Sequence, residues 1–565
     1  MSIANNMAIA HQHTPPGRPA IIAHIPRLVQ TRWPLFVMIA FVMLVSCAFV
    51  ALSIFGSFAH GRLASEPNYD DVGYLYRGAR ALQAVREGYA IEALTGYMHS
   101  PFSVLLAAAS FAVWGAHDWA PYAGNVVIVI CYLLALCYFL QRLPIGVRLG
   151  LLCVFLSLPF ATMAVVEFRP DIIWATLVGF ATVYLSTTNR DFSSAVEALG
   201  IGLVYGAALM AKPSTFLMTT AVIGLAGLLR ALRQAFIRKL KVSAFLAWLI
   251  SFLASALIVA GPYYFLHYQR IWAYFYDNSF GQNKDIWIAS QTLSFHLSHY
   301  IAADWAAASN LGRWRLPVLI FVASALLWSA LRVKEGDRRL VFASLAIVVV
   351  AAWLASSLFG MKSAFLGGAF YGTLIFSSAY LLAEVLNSAH ECLSRPIVQS
   401  LAFAGLAILA YAMHTWPAYS EWDFSRATFY RKANRGVWRE ICHAAKTYKP
   451  ADGVLDVYYS NSSPIPPELQ RLRALQSKVP LRMHTGSMAK SMEDQRAIFE
   501  QCDMIVVQDP NLPEVNTNFP GEKLQGQITE EVLSRRDFKL TKDILVSDDK
   551  RIYLLQNESM LLPNR

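Results

Sequence analysis

The sequence predicts a polytopic α-helical membrane domain followed by a small soluble α/β domain, and three observations carry that expectation. First, 56% of the 565 residues are hydrophobic, only 15% are charged, and the mean hydropathy is +0.41. One soluble core does not absorb so much apolar side chain, because burial per domain saturates at a few hundred residues. Second, 44 of residues 1–420 are charged, against 41 of the 145 residues from 421 to 565. Third, apolar runs close to the roughly 20 residues needed to cross hydrocarbon recur through the first part and stop near residue 416. A net charge of +11 raises nucleic acid as a partner, yet Lys and Arg exceed Asp and Glu by 27 to 17 before residue 421 and by only 21 to 20 after it. The excess therefore reports membrane topology, and no nucleic-acid partner is expected.

Residues 1–32, with His11, His13, Pro15 and Pro16, read as a disordered cytoplasmic N-terminus. The charge-free run 33–58 follows Arg18, Arg27 and Arg32; it is too long for a signal-peptide core and lacks a small-x-small cleavage site, so it reads as an uncleaved anchor. Further runs lie near 101–116, 121–140, 149–166, 171–188, 196–211, 213–229, 243–268, 316–331, 340–360, 364–388 and 397–416, which makes about 11–12 crossings. Their centres carry almost no charge apart from Glu384. Arg230, Arg233, Arg238, Lys239 and Lys241 form one basic loop and Arg332, Lys334, Arg338 and Arg339 another, which places both inside. Counting from them puts 59–100, 167–171, Lys212, 269–315, Lys362 and everything after Trp416 outside, provided that 101–116 does not cross fully. The protein is thus expected in the cytoplasmic membrane, with a membrane domain over 33–418 and an extracytoplasmic domain over 419–565.

That terminal domain alternates β-type runs at 454–459, 481–484, 504–508, 539–547 and 551–556 with helical stretches near 467–476 and 492–502, the pattern of a small α/β fold. It contains no glycine-rich phosphate loop, and the chain shows no solenoid repeat. Of the seven cysteines, Cys442 and Cys502 share this domain, where a disulfide is permitted but not implied.

The residues that depart most from membrane background lie in the first outside loop. Glu66-Pro67-Asn68-Tyr69-Asp70-Asp71 leads into a helical stretch carrying Tyr74, Arg77 and Arg80, and the loop closes on His99-Ser100-Pro101-Phe102. Adjacent carboxylates beside a bilayer surface can activate a hydroxyl or hold a divalent cation; a solvated loop is the bland alternative. Glu167, Arg169 and Asp171 open a span from the same side, either as a structural ion pair or as part of a site. Lys212 and Lys362 either snorkel to the interface or contact phosphate. The segment 269–315 offers Arg270, Trp272, Tyr274, Asn278 and Trp287, suited to a sugar or to an interfacial aromatic belt, while His296 and His299 lack a nearby acid that would make them metal ligands.

This arrangement resembles the GT-C superfamily of membrane glycosyltransferases, and more closely glycosyltransferase family 39, the protein O-mannosyltransferase and lipid A aminoarabinose-transferase group. Asp70 and Asp71 match the family's acidic pair, Tyr74 its following tyrosine, and His99-Ser100-Pro101-Phe102 its Pro-containing segment, with Ser100 where a proline is usual and Asp71 where Glu is commoner. Arg169 with its acids, the Lys ending the helix before Pro213, and Lys362 ahead of Tyr371 follow the family's later elements. The resemblance implies inverting transfer of one sugar from a polyprenyl-phosphate donor to an envelope glycan, lipid or protein. In that reading Asp70 is the general base, and Asp71 supports it or helps bind a divalent metal ion. Lys212, Lys362, Arg169, Arg270 and His99 meet the donor phosphate, and Tyr74, Arg77, Glu167, Asp171 and Tyr274 contact substrate. A transporter or flippase of lipid-linked saccharide, or a non-catalytic envelope protein, remains the alternative.

Overall fold

The computed structural model of the protein describes residues 21–558, except 68, 90–95, 97–99, 239, 288–291, 333–335, 364, 388, 415–423, 448–451, 461–464, 510–518 and 548–549. The helices of the membrane domain are α1 (Ile21–His60), α2 (Tyr69–Arg86), α3 (Pro101–Trp114), α4 (Val126–Phe139), α5 (Ile145–Leu156), α6 (Pro159–Val166), α7 (Asp171–Thr187), α8 (Ala195–Ala211), α9 (Phe216–Arg238), α10 (Val242–Ser279), α11 (Leu293–Ala302), α12 (Arg315–Arg332), α13 (Gly336–Leu358), α14 (Gly368–Asn387) and α15 (Pro396–Met413). The first helix thus begins at Ile21, ahead of the apolar run that announces it. Among the described residues eight helical segments are long and apolar enough to cross a membrane, and α5 with α6, bent by 63°, makes a ninth. The shorter α7 and α8 also run from one end of the bundle to the other. Asp171 and Lys212 meet at one end, while Thr187 and Glu197 lie with the Arg190 loop at the other.

Helix α3 begins and ends at the same end of the bundle. Its 14 residues measure about 21 Å, and it packs on α2, where Gly78 abuts Ala107. Ser100 at its start lines the same cavity as Asp70, and Tyr122 beyond its end donates to Asp71, so the chain enters and leaves this helix at one end of the bundle.

Two expectations about the loops change. The helix expected to stop near residue 268 continues as α10 through Ser279, because the aromatic stretch after His267 holds no glycine or proline to break it. Arg230 and Arg233, read as loop residues, lie in α9 and are buried: Arg230 pairs with Glu197 at 2.8 Å and donates to the carbonyls of Arg190 and Asp191.

Close helix contact inside the bundle rests on small residues, the means by which membrane helices approach without a hydrophobic driving force. A Cβ added to Gly372 of α14 would stand 2.1 Å from the Ala175 carbonyl oxygen of α7, and one added to Gly179 2.4 Å from the Gly372 carbonyl carbon. Backbone cannot yield as a side chain can, so Gly372→Leu is expected to cost about 3 kcal/mol or more. Thermal unfolding of the purified variant in detergent reads this as a lowered melting temperature.

The terminal domain is built on α16 (Phe424–Thr447), α17 (Pro467–Ser477), α18 (Met492–Phe499) and α19 (Gln525–Ser534) around β1 (Leu455–Tyr459), β2 (Leu481–Thr485), β3 (Met504–Gln508), β4 (Phe538–Ser547) and β5 (Lys550–Asn557). The sheet order is β2-β1-β3-β5-β4, with β2, β1 and β3 parallel and the last hairpin antiparallel. Strand periodicity sends Leu455, Val457 and Tyr459 to the face covered by Val437 and Ile441 of α16, and Tyr458 to the face of Phe499 and Ile528. Cys442 on α16 and Cys502 on the other face are free thiols.

This domain grips the membrane domain beside the segment that follows α1. Leu472 of α17 packs in one apolar cluster with Leu63, Leu75, Phe111 and Phe168. Glu66, 2% exposed, accepts from Arg473 at 2.6 Å and from Arg435 at 3.2 Å. Burial pushes its carboxyl above the usual range although both arginines pull it down.

Candidate active site

Helix geometry separates the two adjacent acids. Successive residues on an α-helix point about 100° apart, so in the first turn of α2 only one of Asp70 and Asp71 can face the protein interior. That residue is Asp71. It is fully buried, accepts from the Tyr122 hydroxyl at 3.0 Å and the Phe168 N–H at 2.9 Å, and lies 3.7 Å from Arg169. Asp70 instead has a side chain 71% exposed, directed into a cavity of about 530 Å3. Tyr74, one turn further on the Asp70 face, lines the same cavity. Its hydroxyl is held protonated, above the ordinary tyrosine value, first by burial and then by the negative charges of Asp70 and Asp171.

Opposite α2 stands the link between α6 and α7. Pro170 precedes the first turn of α7, and Asp171 sits in that turn, where a carboxylate complements the helix dipole. Arg169 just before it is held among Glu167 at 3.1 Å, Asp70 at 3.3 Å and Asp71 at 3.7 Å, with its guanidinium 4.2 Å from the Phe365 ring. Burial opposes its charge, but Glu167, Asp70, Asp71 and Asp171 outweigh that and raise its pKa.

Two lysines complete the walls, and each closes a helix. Lys212 caps α8 because Pro213 cannot continue it; the ammonium pairs with Asp171 and lies 5.3 Å from the Trp174 ring. Lys362, four residues beyond α13, donates to the carbonyls of Ser357 and Phe359 at 2.6 Å each, satisfying the acceptors that a helix end leaves open. Burial pushes its ammonium down to about 8. An ammonium carries three donors, and the third acceptor, the Ser356 carbonyl, lies at 3.5 Å and holds its N–H more loosely than the other two.

The cavity therefore gathers Asp70, Tyr74, Arg169, Asp171, Lys212, Lys362 and Tyr274 of α10. Asp71, buried, and Glu167, half-buried, stand behind it against Arg169. Arg77 lies 5.9 Å from the Tyr74 ring and does not line it, and Arg270 is exposed on α10 outside it. Tyr371 donates to the Tyr300 carbonyl instead of entering it. His99 lies outside the described residues. Sequence reasoning missed two contributors: Tyr122, which satisfies Asp71, and Phe365, which supports Arg169, while Asn278, singled out in the segment 269–315, lines the cavity one turn after Tyr274. Neither Tyr122 nor Phe365 carried a local signal, because each meets its partner only through tertiary packing. A resident divalent cation does not fit this donor set. Among the described residues no three His, Cys, Asp or Glu converge as ligands, and the Arg169 guanidinium already stands between the carboxylates that a cation would need.

Bundle, the loop after α1 and terminal sheet domain together define a polytopic helical membrane protein that carries a small α/β domain. Two crystal structures of ArnT from Cupriavidus metallidurans share the fold. The one bound to undecaprenyl phosphate is 12% identical, covers 92% of this chain and 99% of its own, and has a TM-score of 0.58. The apo form is 13% identical, covers 92% and 98%, and also scores 0.58. At such identity the likeness is one of fold. No family model matches the chain, and no curated protein does.

Proposed function

We propose that this protein transfers a single sugar from a polyprenyl-phosphate-linked donor to an acceptor glycan, lipid or protein at the outer face of the cytoplasmic membrane, with inversion. The observation that carries this reading is one exposed carboxylate, Asp70, in a cavity whose other walls hold Arg169, Lys212 and Lys362. An ArnT structure with undecaprenyl phosphate supports the donor class. In this reaction the acceptor hydroxyl oxygen bonds to the anomeric carbon as the carbon–oxygen bond to phosphate breaks, and the hydroxyl proton passes to Asp70. The bonding electrons leave with the polyprenyl phosphate, whose growing negative charge Arg169 and Lys212 offset. Asp71 acts through Arg169 and the start of α2, which it positions.

Purified protein given labelled polyprenyl-phosphate sugars tests the reading. Label appearing on acceptor supports transfer; movement of intact donor across a vesicle membrane without transfer selects a flippase, and neither outcome selects a non-catalytic role. Lys362 adds a pH signature. It is protonated below about pH 8 and neutral above, so if its charge binds phosphate, the donor KM is expected to rise about tenfold between roughly pH 7 and 9. Lys362→Gln should raise KM at neutral pH and flatten that profile, and an unchanged slope removes the lysine from the phosphate site.

A further inference from the structure

A second recess, of about 660 Å3, opens at the far end of the bundle, between the last turns of α4, α7 and α14 and the first turns of α13. The same α7, α13 and α14 reach the candidate active site with their other ends, and the 17 residues of α7 hold the two openings about 25 Å apart. Arg142, Arg190 and Arg338 line this recess, and Glu384 is the one carboxylate among its lining residues. Glu384 sits in the last turn of its helix and not at its centre. Its side chain is 7% exposed and bridges both Arg142 and Arg338, whose own side chains stay 59% and 51% exposed.

One carboxylate between two guanidiniums leaves a net positive charge and also pins both arginines, so the site is ordered before a ligand arrives. The Arg190 loop is fixed from behind, because the buried Arg230 donates to the Arg190 carbonyl at 3.0 Å and Arg233 to those of Ser186 and Thr188. Tyr138, Tyr380 and Asn189 add hydroxyl and amide edges. Planar guanidiniums match phosphate oxygens two at a time. Leu340 and Val385, next to this cluster on α13 and α14, are exposed and provide an apolar flank for acyl chains.

We propose that this recess binds the phosphate of an anionic phospholipid in the membrane leaflet opposite the candidate active site. The test uses full-length protein in neutral detergent, with thermal unfolding and native mass spectrometry on adding phosphatidylglycerol, phosphatidylcholine or inorganic phosphate. Phosphatidylglycerol alone should raise the melting temperature and remain bound in the gas phase. The triple variant R142Q/R338Q/E384Q, which removes the arginines without stranding the carboxylate, should bind phosphatidylglycerol on the order of thirtyfold more weakly. Arg190→Gln, which leaves the Glu384 bridges intact, should weaken it about fivefold. Equal response to phosphatidylcholine, or unchanged binding in both variants, overturns the site. Equal stabilisation by inorganic phosphate overturns the lipid assignment in favour of a soluble phosphoanion.

Discussion

Asp70→Asn is expected to lower sugar transfer about a thousandfold, the loss typical of removing a general base, while expression and melting temperature stay at wild-type values. The stability half of this expectation follows from exposure: the Asp70 side chain is 71% exposed, so solvent screens its ion pair to Arg169, and screened pairs contribute little. Transfer from labelled donor and a melting curve on the same preparation check both halves. Normal transfer by this variant would move the base elsewhere.

Asp71→Ala should do the opposite in kind. It removes the acceptor of the Tyr122 hydroxyl and the Phe168 N–H and strips Arg169 of one of its carboxylates, all in a buried setting. Leaving such groups unpaired costs roughly 3 kcal/mol or more, read as a melting temperature lower by several degrees and a poor yield of folded protein. Transfer falls with it, because Arg169 loses its position. If Asp71→Ala melts like wild type and Asp70→Asn does not, the two roles are exchanged.

The crossings were legible because hydrocarbon demands long apolar runs, and each run read from the sequence corresponds to a helix or bent pair. The side on which 101–116 ends was legible only through parity. Hydropathy could not show that Gly78 lets α3 lie on α2. Arg230 and Arg233 misled because their partners are carbonyls 39 to 47 residues away and Glu197, which no local window contains. In the terminal domain α16 went unread although Ala433, Val437, Ile441 and Ala444 form an apolar stripe at helical spacing; the charges between them masked it. At the site, Asp70, Arg169 and Lys212 stood out as ionisable groups at the ends of apolar runs. The difference between Asp70 and Asp71 depends on Tyr122, 51 residues on, and so on tertiary packing.

The clasp on Glu66 sets an order of assembly. Glu66 leaves the ribosome with the segment that follows α1, but its partners Arg435 and Arg473 follow 369 and 407 residues later. Through most of synthesis that carboxylate stays in water, four residues ahead of Asp70, while the helices insert behind it. Only when the sheet domain has been made and folded does the loop acquire its final anchor. The wall of the cavity made first is thus the last to become rigid, and a chain truncated before residue 435 would carry every residue of the candidate site without either arginine of the clasp that fixes the loop.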